Sequence, residues 1–262
     1  MTESSSVILR LGRIAEIVLN RPDKHNAMTA DMGLAVERAV QSVNEDTTTR
    51  VVLVRGSGRA FCAGGDFSFI DAASRRSPED NRVAMLRFYA SYLSIQALRV
   101  PSIAVLHGAT VGAGLCFALA CDVRLAAREA KLGANFVRVG LHPGMGCTAL
   151  LPHVVGPSRA TELLLSGRLL TGDEAERIGL VSRAVERDGL DALAAETAEA
   201  IASAAPIAVQ QTKATLSDAL RRELGGALER EARAQAIDFT TADLAEAVAA
   251  FGAGRGPEFR GR

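Results

Sequence analysis

The sequence predicts an α/β fold: a parallel sheet with helical crossovers, followed by an all-helical C-terminal region. Three observations carry this expectation. Val51–Val54 is a short, wholly apolar run, the pattern of a strand covered on both faces, and Ile103–Leu106 and Val123–Ala126 are further strand candidates. Strand and helix patterns alternate from Val51 onward, which calls for crossovers. Beyond about Val185 the composition shifts, and Leu190 to Phe251 is rich in Ala, Glu and Arg with almost no β-branched runs.

Taken in order, Val7–Leu11 and Ile14–Leu19 are β-rich and separated by Gly12-Arg13, a hairpin pattern. Arg21-Pro22-Asp23-Lys24-His25-Asn26 interrupts it. Thr29 is placed to cap a helix whose Met32, Ala35, Val36, Ala39, Val40 and Val43 share one face. Val51–Val54 runs into a Gly56-Ser57-Gly58 loop, Ile103–Leu106 into Gly108, and Val123–Ala126 completes the strand set. The C-terminal region is expected to break into several helices at Pro206 and at Gly225-Gly226.

Of the 262 residues, 48% are apolar and 23% charged, which excludes wholesale disorder. Thirty basic residues against thirty acidic ones leave no net basic field, so a nucleic-acid or acidic-membrane partner is not expected. The absence of Trp and the two Tyr leave few platforms for stacking bases. Ser and charge interrupt the N-terminal MTESSSVILRLGR where a secretory signal needs an apolar core. Arg260-Gly261-Arg262 matches no lipidation or peroxisomal address. Cys62, Cys116, Cys121 and Cys147 are scattered, without zinc-ligand spacing. A cytoplasmic protein with reduced thiols and no bound metal is expected.

Two glycine-rich stretches follow predicted strands: Ala60-Phe61-Cys62-Ala63-Gly64-Gly65-Asp66, and Gly108-Ala109-Thr110-Val111-Gly112-Ala113-Gly114-Leu115-Cys116. Small residues let a ligand approach the backbone, and a helix starting there presents unpaired N–H groups. Two such loops can aim two amides at one oxygen, the geometry of an oxyanion hole, or they can simply be turns that allow tight helix–strand packing. Neither completes a GxGxxG dinucleotide fingerprint, and Walker, HExxH and GxSxG motifs are absent.

Together these segments resemble the enoyl-CoA hydratase/isomerase (crotonase) superfamily. The resemblance runs from Leu19-Asn20-Arg21-Pro22-Asp23-Lys24-His25-Asn26-Ala27 through AFCAGGDF and PSIAVLHGATVGAGLCFALACDVRLAA. It continues in Val139-Gly140-Leu141-His142-Pro143-Gly144, in Thr171-Gly172-Asp173-Glu174-Ala175, and in the closing Pro257-Glu258-Phe259. Their order and spacing are specific where no single segment is. The resemblance implies a ββα spiral core over residues 1–189 carrying an acyl-CoA site. Residues 190–262 would form a helical region for trimerisation and a pocket lid. A homotrimer or dimer of trimers is implied, in the chemistry of fatty acid metabolism, with coenzyme A as part of the substrate and no separate cofactor.

Carried over residue by residue, the oxyanion-hole amides match Gly65 and Ala113, and the Ala63 region matches the lining of the adenine pocket. Gly64, Asp66, Gly112, Phe136 and Gly144 fall among the ligand-contacting positions, with Lys24 and Arg255 as phosphate partners or as solvated charges. The two glutamates that hydratases of this superfamily use fall at Cys116 and Phe136, and a third acid position falls at Gly144. Two-glutamate hydration is therefore not expected. The resemblance still implies an acyl-CoA-processing enzyme of the enoyl-CoA hydratase/isomerase type, a lyase or isomerase; the alternatives are a non-catalytic acyl-CoA-binding protein, or a divergent isomerase, decarboxylase or thioesterase. Cys116 and His142 are the candidate replacements, against a small buried residue and a packed loop histidine. Arg138 and Asn135 flank the position of the missing glutamate, with a salt bridge or cap as the alternative, and Asp71 falls where the resemblance implies substrate-facing segments, with a surface charge as the alternative.

Overall fold

A computed structural model describes residues 5–66, 68, 70, 73 and 75–262, so Asp71 lies outside the described residues. Strand β1 (Val7–Arg10) pairs antiparallel with β2 (Ile14–Leu19), the hairpin that Gly12-Arg13 announces. Helix α1 (Ala30–Glu45) starts at Thr29, whose hydroxyl accepts from the Met32 amide. Its Met32, Val36, Ala39, Val40 and Val43 are buried, as the helical spacing requires.

Strands β3 (Val51–Gly56), β4 (Ser102–Leu106), β6 (Val123–Ala127) and β8 (Arg183–Val185) extend the sheet in parallel, giving the order β1-β2-β3-β4-β6-β8. β5 (Ala109–Val111) and β7 (Lys131–Gly133) form a separate two-stranded parallel sheet. Helices α2 (Pro78–Leu93), α3 (Ala113–Leu119), α4 (Cys147–Val155), α5 (Pro157–Ser166) and α6 (Gly172–Arg177) lie between strands. Helix α7 (Leu190–Ala202) packs on β3, β4 and β6, so residues on both sides of position 190 cover the sheet.

Helix α8 corrects one expectation. It runs unbroken from Pro206 to Asp238, straight through Gly225-Gly226. Each glycine costs about 1 kcal/mol of helix propensity relative to Ala. Packing of α8 along α2 and α4 outweighs that local preference. Lys213 of α8 is buried and bonded to the Val100 carbonyl and to Asp122, the latter at 2.8 Å, which pins the helix to the sheet. Helix α9 (Ala242–Gly252) closes the chain, capped by Thr241. No single described helix is long and apolar enough to cross a membrane.

Candidate functional site

The site is built where β3 and β4 end. Main-chain bonds lace the two glycine loops together: Phe61 N–H to His107 O at 2.8 Å, Cys62 N–H to Ala109 O at 3.0 Å, and Val111 N–H to Cys62 O at 3.1 Å. The approach is close enough that a Cβ at Gly114 would stand 2.4 Å from the Cys62 carbonyl oxygen. Gly64 has φ +98°, in the left-handed region, and a Cβ there would lie 3.1 Å from Val111 O and 3.8 Å from the Ala113 nitrogen. The two loops thus meet at Gly64 and Ala113.

Asn26 holds the first loop. Its side chain is fully buried, and its Nδ2 donates to the carbonyls of Ser57, Ala60 and Phe61 at 2.9, 2.8 and 3.1 Å. Its Oδ1 accepts from the Arg21 amide. Arg21 in turn donates to Asp66 at 3.0 Å, and Ser68 donates to the same carboxylate. These donors hold the Asp66 carboxyl below the usual range despite its partial burial. The sequence placed Asp66 among ligand contacts; the structure places its carboxylate in loop support.

Within this framework the Gly65 and Ala113 amides have no hydrogen-bond acceptor among the described residues. Ala113 opens helix α3, where N–H groups have no intrahelical partner. Ala63 N–H bonds to His25 O, which sets the exposed Lys24 turn beside the same loop. Gly112, at φ +55°, immediately precedes α3 and donates its N–H to Gly133 O.

One turn along α3 from Ala113 stands Cys116, fully buried, with its thiol bonded to Gly112 O and Gly144 O, each at 3.3 Å. Burial, reinforced by the neighbouring Cys147, pushes its pKa well above the usual thiol value. This is a protonated packing group rather than a ready nucleophile. Phe136 is buried in the core. A Cβ at Gly144 would lie 2.5 Å from the Tyr89 hydroxyl and 2.7 Å from Gln235 Nε2, so other side chains already occupy the space an acid would need there.

His142 is half-buried and its Nδ1 lies 2.6 Å from Pro143 O, while its amide donates to Asp238. Arg138 donates to Ser166 O, the capping role weighed for it. Arg255 forms a two-point pair with Glu246, at 2.5 and 3.0 Å, and the C-terminal tail folds back onto Asp243 through the Arg260 and Gly261 amides. In this chain Arg255 therefore already has a carboxylate partner.

Three groups were missed from sequence. Tyr89, Gln235 and Glu231 sit in long helices where nothing local separates them from other core or surface positions. Glu231 is buried and accepts from Gly146 N–H, Thr148 N–H and the Thr148 hydroxyl, capping the start of α4. Desolvation raises its pKa in spite of these donors. Among the described residues no three His, Cys, Asp or Glu converge as a metal site.

The family model described as Enoyl-CoA hydratase/isomerase matches residues 10–262. This chain belongs to the enoyl-CoA hydratase/isomerase family. It is 32% identical over 252 residues to a crotonyl-CoA hydratase of Syntrophomonas wolfei, covering 96% of each chain. It is 33% identical to a probable enoyl-CoA hydratase of Mycobacterium bovis, covering 100% of each. Its fold is similar to the crystal structure of an enoyl-CoA hydratase from Mycobacterium avium subsp. paratuberculosis. That likeness has a TM-score of 0.86 and 30% identity, over 97% of this chain and 98% of the other. An enoyl-CoA hydratase/isomerase from Pseudoalteromonas atlantica gives a TM-score of 0.85 at 32% identity, over 97% and 100%. The α/β crotonase fold with a C-terminal helical region expected from sequence is thus shown.

Proposed function

We propose that the chain binds acyl-CoA thioesters with the thioester oxygen on the Gly65 and Ala113 amides, and that it acts on them through an enolate-like state. The observation that carries this reading is the pair of amides, on two interlaced loops, that have no acceptor among the described residues. Preorganised donors at a developing oxyanion contribute on the order of 3–4 kcal/mol each. Ala113 is buried and Gly65 exposed, and the main-chain bonds between their loops limit reorganisation during the reaction. The names of the relatives supply the thioester class.

Ordinary hydration of crotonyl-CoA should be weak or absent, because a water needs a base and Cys116, Phe136 and Gly144 supply none. The same neutral, buried wall favours a second reading, a non-catalytic acyl-CoA-binding protein. Calorimetry with short, medium and long acyl-CoAs tests the shared claim: binding in at least one class is expected, and none across all three refutes it. Turnover of any bound thioester then separates enzyme from binder.

The same reading includes assembly as a homotrimer or dimer of trimers through the C-terminal helices. Ile207, Leu216 and Ile237 on α8 are 71%, 71% and 63% exposed in the single chain, large apolar side chains that a subunit contact would cover. A trimeric or hexameric mass by light scattering is expected, and a monomeric mass at micromolar concentration refutes it.

A further inference from the structure

The glycine loops follow the C-terminal ends of β3 and β4. At the other end of the sheet, ahead of β4, the surface opens into a groove of about 560 Å³. Gln96, Leu98 and Arg99, from the turn after α2, form one wall, and Gln210, Lys213 and Arg221 of α8 form the other. The five residues of β4, about 15 Å of extended chain, separate this end from the cradle. No carboxylate is among the described residues that line the groove.

Its cations are already positioned. The Arg99 amide donates to Asn44 Oδ1 at 3.0 Å and its Nη2 to Asn44 O at 2.9 Å. Arg221 Nη2 donates across the groove to Gln96 O at 2.9 Å. Each guanidinium is thus fixed by a backbone carbonyl, and among the described residues neither pairs with a carboxylate. Lys213 is 8% exposed, and its ammonium donates to Val100 O at 2.9 Å and to Asp122 Oδ2 at 2.8 Å. An ammonium has a third N–H to give.

The nearby acids do not neutralise this set. The same Asp122 oxygen also accepts from the Ser102 amide and hydroxyl, at 2.7 and 2.8 Å. Asp218, one turn beyond Ala214 on α8, is engaged by Arg222 at 2.9 Å. Three cations therefore face one carboxylate, a surplus of two positive charges held in one groove.

We propose that this groove is a second ligand site, and that its ligand is an organic phosphate monoester. The phosphate is a dianion and matches the surplus charge. Its three terminal oxygens match three donors, the two arginine forks and the spare Lys213 N–H, where a carboxylate offers two oxygens and one charge. The body of the ester lies along Leu98 and Ala214, between the Gln96 and Gln210 amides. The groove has the volume of a small-molecule site, roughly 300–1,000 Å³, rather than that of a bare ion. This assignment stands on the groove alone and does not depend on the acyl-thioester reading.

Calorimetry with inorganic phosphate, glycerol 3-phosphate and adenosine 5′-monophosphate tests it, with adenosine as the uncharged control. At least one of the two esters is expected to saturate one site per chain and to bind more tightly than inorganic phosphate, and adenosine is expected not to bind. Arg99→Gln and Arg221→Gln should each weaken the ester about tenfold or more. Both arginines are exposed, and they stand on separate segments. Should Arg221→Gln loosen α8, Arg99→Gln therefore still carries the test. In protein labelled with 15N-lysine, the Lys213 Nζ resonance should move on adding the ester and stay in place with adenosine. No saturable binding of either ester overturns the proposal, as does affinity for both esters no greater than for inorganic phosphate. Unchanged ester affinity in the arginine variants, or a Lys213 resonance that the bound ester leaves unmoved, overturns it as well.

Discussion

The two loops that carry Gly65 and Ala113, which we propose as the thioester cradle, and the side-chain wall at Cys116, Gly144 and Tyr89 adjoin on α3, yet they are built in opposite ways. The cradle depends on strand ends, small residues and main-chain bonds such as Val111 N–H to Cys62 O. The role proposed for position 113 uses only the main-chain amide, which Ala supplies. The wall depends on side chains brought together from α2, α3 and α8, such as the Tyr89–Gln235 bond. In the proposed function, the difference separates binding of a thioester from the chemistry done on it.

The largest expected effect strikes the cradle. Ala113→Pro removes one amide hydrogen at the first position of a helix, where proline is tolerated. Turnover of a bound thioester should fall by about 10²-fold or more, on the order of 3–4 kcal/mol of barrier, with thermal stability little changed. Single-turnover kinetics beside a melting curve checks this, and unaltered turnover would remove Ala113 from the cradle.

Next comes the contact between the loops. Gly114→Ala introduces a methyl 2.4 Å from Cys62 O, so the loops must part. Overpacking of this kind costs about 1–3 kcal/mol, read from the urea midpoint, and acyl-CoA binding should weaken together with stability. If stability falls while binding holds, the loops do not act as one unit.

Asn26→Ala probes the same cradle from behind. It strips the carbonyls of Ser57, Ala60 and Phe61 of a shared donor, and a loss of about 1–3 kcal/mol is expected in denaturant melts. A neutral result would show that the loop supports itself.

These contrasts track what could be read from sequence. The sheet was legible because β3, β4 and β6 are short and mostly buried on both faces, leaving runs dominated by apolar residues such as Val51–Val54. Thr29 was legible because capping is a local rule. The loops were legible because close backbone approach demands small residues at fixed places. Gly225-Gly226 misled for the converse reason: local propensity argued for a break that tertiary packing of a 33-residue helix overrode. Tyr89 and Gln235 stand 146 residues apart in sequence, and only the fold brings them together. Arg255 read as a phosphate partner because nothing in the sequence ties it to Glu246, an exposed pair made by the returning tail.

The smallest effect concerns the wall's support. Burial raises the Glu231 carboxyl above its ordinary 4.5, so between that value and the raised one the folded state holds more protons than the unfolded chain. Stability contributed by this group therefore declines as pH rises through that window and is level above it. Asp238, raised by burial as well, adds the same slope. Asp66, held low by its donors, contributes the opposite slope below its ordinary 3.8. Glu231→Gln should flatten the Glu231 component in urea melts taken between pH 4.5 and 7. An identical slope in the variant would mean that the buried carboxyl does not titrate there.

The measurement that bears most directly on the account is isotope-edited infrared spectroscopy of an acyl-CoA carrying 13C at its thioester carbonyl. With two amides on the oxygen, the bound carbonyl stretch should move to lower frequency than in free ligand, in the intact protein and in Tyr89→Phe alike, and Ala113→Pro should return part of that shift. A bound thioester whose stretch matches that of free ligand would contradict the cradle at Gly65 and Ala113.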